Sequence, residues 1–130
     1  MYALAFDPRS RLLTITGEGL WSMATLAAFS AEVLAYGAAL KIRHGSFAVL
    51  NDVRNMPVQL STVASGLELL MEKGTAITTA PIATVAGGAL PKMQIERVIR
   101  GDHTRVFLTM EDARDWLAEH WPPARATPNR

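Results

Sequence analysis

Cysteine is absent from the chain. That excludes disulfide scaffolds, Cys-ligated zinc and thiol nucleophiles, and it assigns no redox compartment. Charge is also sparse. Thirteen Lys and Arg stand against twelve Asp and Glu, a net +1. The basic residues are scattered, whereas a nucleic-acid surface clusters them, so no nucleic-acid partner is expected. His44, His103 and His120 show no HxH, HxxxH or HExxH spacing, so no metal is expected. The stretch AGGALPK at 86–92 lacks both GxGxxG and GxxxxGK[ST]. Pro91 also removes a backbone donor that a phosphate cradle needs. It reads as a tight turn, and no cofactor is expected.

Targeting and membrane signals are missing too. MYALAFDPRSR brings Asp7 and Arg9 too early for a signal peptide. Residues 19–40 are apolar apart from Glu32, but Gly37, Ser22, Thr25 and Ser30 interrupt them. Residues 74–91 carry no charge, yet Pro81, Gly87, Gly88 and Pro91 break them. A span needs ~20 continuous apolar residues, so both stretches read as soluble core. No integral span is expected, peripheral membrane contact stays open, and the expected location is cytoplasmic.

What is present suffices for one domain. A chain of 130 residues that is 49% apolar buries about two-thirds of its unfolded surface without staples. YALAFD at 2–7 puts Tyr2, Leu4 and Phe6 on one face. Pro8-Arg9-Ser10 is turn chemistry. In RLLTITG at 11–17, Leu13 and Ile15 alternate with Thr14 and Thr16, the period of a half-buried strand. The two runs make a hairpin. Leu26, Phe29, Val33, Tyr36 and Leu40 then recur at helical spacing, with Ser22 as N-cap and Gly45 as the end. FAVLN at 47–51 is a third strand.

Leu60, Val63, Leu67 and Leu70 mark a second helix that Gly74 would stop. PIATVAG at 81–87 is a fourth strand. Pro91 opens a third helix, with Ile95, Val98 and Ile99 inward and Lys92, Glu96 and Arg100 outward, and Gly101 closes it. TRVFLT at 104–109 is the fifth strand. Thr109 and Asp112 form a capping-box-like start to the last helix, which Ala113, Trp116 and Leu117 bury. The order β-β-α-β-α-β-α-β-α predicts a single-domain α/β fold with a five-stranded mixed, mainly parallel sheet and an N-terminal antiparallel hairpin. Thr14, Thr16, Thr84 and Arg105 recur at alternate strand positions, so one sheet face is expected to be partly bare and the helices mainly on the other. The domain is expected over 1–121, with 122–130 a flexible tail of three prolines.

The layout, with TRVFLTMEDARDWL at 104–117 and FAVLNDVRNM at 47–56, resembles the STAS/SEC14-like family, whose fold is that of the sporulation anti-anti-sigma factor. The resemblance covers about residues 2–120. It implies a regulatory or binding role, and the SEC14-type relatives imply an apolar, lipid-like ligand. The antagonists of this family carry Asp-Ser-Ser-Gly-Leu at the start of the second helix, where a partner kinase phosphorylates a serine. In V-A-S-G-L at 63–67 only Ser65, Gly66 and Leu67 match. Val63 takes the acidic position and Ala64 the usual phospho-serine position. Phospho-regulation of that type is disfavoured, with Ser61 or Thr62 left as substitutes.

Asp52 and Arg54 are read as a charge pair in a strand-end loop, where sites concentrate, or as a local pair ordering that loop. Ser61, Thr62 and Ser65 are helix caps before they are nucleophiles, because no base accompanies them. Met71, Met93, Met110, Trp21 and Trp116 suggest core, or an apolar pocket between helices and sheet. The expected contact surface combines Asp52, Arg54, Met56, Leu60, Ser61, Thr62, Ser65 and Met93, with no catalytic residue. A protein partner or an apolar small molecule would bind there, and a homodimer through the bare sheet face is the third expectation. The rival is a small hydrolase using Ser61 or Ser65, which would require His44 or His103 beside them.

Overall fold

A computed structural model describes residues 1–99 and 102–121. The expectations for Arg100, Gly101 and the tail 122–130 lie outside these residues, as does the Val98 side chain. The elements are β1 (Tyr2–Asp7), β2 (Leu12–Glu18), α1 (Met23–His44), β3 (Ala48–Asn55), α2 (Ser61–Ile77), β4 (Ile82–Ala86), α3 (Ala89–Val98), β5 (Thr104–Phe107) and α4 (Met110–His120). The sheet runs β1-β2-β3-β4-β5, with β1 antiparallel to β2 and the remaining neighbours parallel.

This order explains the layering. Each parallel connection steps one place across the sheet in the same direction. Right-handed crossovers therefore put α1, α2 and α3 on one face. Phe29 and Leu40 of α1 and Val63 of α2 pack there with Leu13, Ile15, Val49 and Ile82. Among the described helices only α4 covers the other face, setting Ala113 and Leu117 against Ala48, Leu50, Ala83 and Val85. The helices are thus mainly on one face, as the sequence pattern predicts. Beyond α4, Ala3 and Ala5 stay exposed and Thr14 and Thr16 half-buried. Thr84 breaks the pattern: it is buried on the three-helix face.

Local chemistry works as read at several ends. Ser22 Oγ accepts from Thr25 N and Thr109 Oγ1 from Asp112 N. Gly45 closes α1 at φ 77. In the hairpin turn, Arg9 N and Ser10 Oγ donate to Asp7. Lys92 and Glu96 pair at 2.7 Å. Several boundaries differ: β5 stops at Phe107 and α3 starts at Ala89, ahead of Pro91. Gly74 lies inside α2, which runs on to Ile77. β3 continues through Asn55, because Thr16 and Glu18 on one side and Val85 and Ala86 on the other supply partners to its polar end.

The long first helix is long and apolar enough to cross a membrane. Here it lies on the sheet and buries only Leu26, Phe29, Gly37 and Leu40. It is less buried than its composition suggests, because its apolar character comes largely from alanines. Ala24, Ala28, Ala31, Ala35 and Ala38 are exposed; alanine favours helix without needing burial.

Candidate functional site

The three-helix face is not closed. Between α1, α2, α3 and the sheet lies a partly open pocket of about 200 Å³. Strand residues alternate in direction, so Leu13 and Ile15 of β2, Val49, Asn51 and Val53 of β3, and Ile82 and Thr84 of β4 form its floor. Phe29 and Val33, Leu67 and Leu70, and Ile95 supply the helical walls. Gly37 and Gly74 line it where a larger residue would intrude. No charged side chain lines it among the described residues.

One end is tied shut by amides. Gln59, buried, accepts from Trp21 N at 2.8 Å and donates to Gly19 O and Pro57 O. Gln94 of α3 in turn accepts from Gln59 N and donates to Gln59 O, both at 2.9 Å. Two connections and α3 are thereby held together at the carboxyl ends of the strands, where α/β sheets bind ligands. Trp21 completes this wall, its indole N–H bonded to Glu18 O and its ring against Phe29 at 5.0 Å. At the opposite end Thr78 donates to Phe47 O and accepts from Ala80 N.

The residues singled out from sequence divide around this pocket. Of the expected contact surface, Met56 lines it, buried next to the space Gly17 leaves open. Met71 and Trp21 also line it, whereas Met110 and Trp116, both on α4, pack on the other face. Leu60 and Met93 are exposed. Ser61, Thr62 and Ser65 are exposed along the start of α2. The expected capping by Ser61 or Thr62 does not occur. The N-cap is Leu60, without a side-chain bond, and Ser61 is already helical. Gly66 of the Ser-Gly-Leu stretch has a packing role, because α1 and α2 meet there: a Cβ would overlap Leu26 Cδ2.

Asp52 and Arg54 sit on β3 itself, not in a loop. They share one face two residues apart and make a two-pronged ion pair with both side-chain bonds at 2.8 Å. Their side points toward α4, away from the pocket. The Arg54 hydrogen bond holds the Asp52 carboxyl below its ordinary range, with Arg114 adding a smaller attraction. A lowered folded value means the contribution is present above the unfolded carboxylate range and is lost as pH falls through the folded value. Arg54 is half exposed, so solvent screens the pair to about 0–1 kcal/mol. Asp52→Asn is therefore expected to lower stability by no more than that at neutral pH. Urea titrations at pH 7 and pH 3 should show the deficit shrinking in acid.

The histidines lie elsewhere. His44 ends α1 and His103 precedes β5, at the amino ends of parallel strands, while Ser61 and Ser65 follow the carboxyl end of β3. His120 bonds to Trp116 O on α4. No serine–histidine pair forms among the described residues.

Asn51, Thr84, Gln59 and Gln94 are the site residues that sequence reading passed over. Asn51 carried a usable signal, since it keeps the period-2 register of Val49 and Val53 and so had to share their face. Compared with known proteins, the chain matches no family model and no curated protein.

Proposed function

We propose that this protein is a non-catalytic binding module that takes a small apolar molecule into the pocket between its three helices and the sheet. The pocket itself supports the reading. Packed interiors leave few voids larger than a water molecule, and an unfilled apolar void destabilises a fold in proportion to its size. An apolar cavity of about 150 Å³ accepts benzene, and this one reaches about 200 Å³. The STAS/SEC14-like resemblance belongs to this proposal, as does a regulatory use of the bound state. The hydrolase alternative would need a base beside Ser61 or Ser65, and none of the three histidines is placed there.

Native mass spectrometry of protein purified from its host, with organic extraction, tests the proposal. A co-purifying neutral apolar molecule is expected. Gly74→Leu should lose it, because a side chain there enters open pocket space, with nothing within 4 Å of the added Cβ. The same variant should be more stable by about 1 kcal/mol, from removing a mid-helix glycine. A clean apo mass together with a stable protein complex in pull-downs would replace the ligand by a protein partner.

A further inference from the structure

Resting on the pocket reading above, we infer that the ligand is a neutral apolar molecule carrying one hydroxyl group, which the Asn51–Thr84 pair on the pocket floor receives. The polar groups lining the pocket are otherwise committed. Gln59 uses its carboxamide oxygen and both N–H groups on Trp21, Gly19 and Pro57. Gln94 is bound in both directions to the Gln59 backbone. The Thr78 hydroxyl both donates and accepts.

Asn51 and Thr84 differ. They are cross-strand neighbours in the middle of the sheet, and the bond found for their side chains is a single one, Asn51 Nδ2 to Thr84 Oγ1 at 3.2 Å. This leaves the Asn51 oxygen, its second N–H and the Thr84 hydroxyl proton unused. Turning the carboxamide over keeps the same balance of spare donor and acceptor. Thr84 is only 5% exposed, and both residues line the cavity.

A polar pair, one member buried and one half-buried, with unused capacity in an otherwise apolar pocket selects a ligand group that can both donate and accept. A hydroxyl does both with one atom. A carboxylate, phosphate or ammonium would be buried where the described lining side chains offer no countercharge, which is strongly unfavourable.

p-Cresol and p-xylene, which have nearly the same shape, serve as probes in calorimetric titrations of the full chain. p-Cresol is expected to bind wild type about tenfold more tightly, the value of one net hydrogen bond. Thr84→Val, of the same shape, and Asn51→Leu should bring the two probes to equal affinity by weakening p-cresol alone. The double variant Asn51→Leu/Thr84→Val should keep or raise the melting temperature, since replacing both partners leaves no orphan. That result would separate a ligand-facing pair from a structural one. Equal binding of both probes to wild type would overturn the hydroxyl inference and leave the pocket reading standing. Binding of neither would overturn both. A double variant that melts well below wild type while keeping its p-cresol preference would make the pair structural and also overturn the inference.

Discussion

Gly87→Ala is expected to destabilise the fold by about 3 kcal/mol or more, at the upper end of overpacking effects. Gly87 follows β4 and runs against the end of β3. A Cβ there would overlap the Arg54 carbonyl oxygen and stand 2.9 Å from its carbonyl carbon. Side chains yield to an added methyl group by changing rotamer. A backbone carbonyl moves only with its whole peptide unit. β3 is the central strand, paired to β2 as far as Asn55 and to β4 as far as Val53, so shifting Arg54 would disturb the ladder that ends one residue before it.

The adjacent glycine is the control. At Gly88 the nearest atom to an added Cβ is Pro91 Cδ at 3.9 Å, and its φ of 174 suits any residue. Gly88→Ala should therefore change stability by less than about 0.5 kcal/mol. Chemical denaturation of the two single variants checks the contrast. Equal stabilities would refute the close approach of Gly87 to Arg54.

Gln59→Leu is the second large effect, with an expected loss of about 2–3 kcal/mol. Leucine keeps the bulk and removes every hydrogen bond the carboxamide makes. Trp21 N, Gly19 O and Pro57 O would each lose a partner at a buried or half-buried position, and unpaired buried groups are the costly case. Gln94→Leu releases only the Gln59 backbone, so its loss should be smaller, about 1–2 kcal/mol. The double variant should lose less than the sum, because both side chains hold one network. Urea unfolding followed by Trp fluorescence measures all three. A Gln59→Leu midpoint within error of wild type would show that the two connections and α3 hold together without the clamp.

Much of the fold was legible because it depends on neighbours in sequence. The alternation of Leu13 and Ile15, the helical recurrence of Leu26, Phe29 and Leu40, and the caps at Ser22 and Thr109 are local signals, and each element formed where they stand. Given the strand order, crossovers of one hand then set three helices on one face. Errors came where a distant partner outweighs local character. Asn51 looked like the end of an apolar strand, yet ladder partners on both sides carry β3 past it, on the β4 side to Val53 and on the β2 side to Asn55. Gly74 is a local case instead: it looked like a stop, yet Thr78 N four residues on still bonds to its carbonyl and α2 continues to Ile77.

The site was the least legible part, for the same reason. Asn51 meets Thr84 across 33 positions, and Gln59 meets Trp21 and Gly19 across 38 and 40. No motif spacing encodes such pairs. By itself the sequence determined the α/β class, the single sheet and the poverty of charge that leaves the three-helix side apolar, since periodicity and composition act locally. Only the tertiary structure decided that this side holds an open pocket. It alone turned Asp52 and Arg54 away from that pocket and set two half-used polar side chains on its floor. Those outcomes depend on how far helices stand from the sheet and which strands lie side by side.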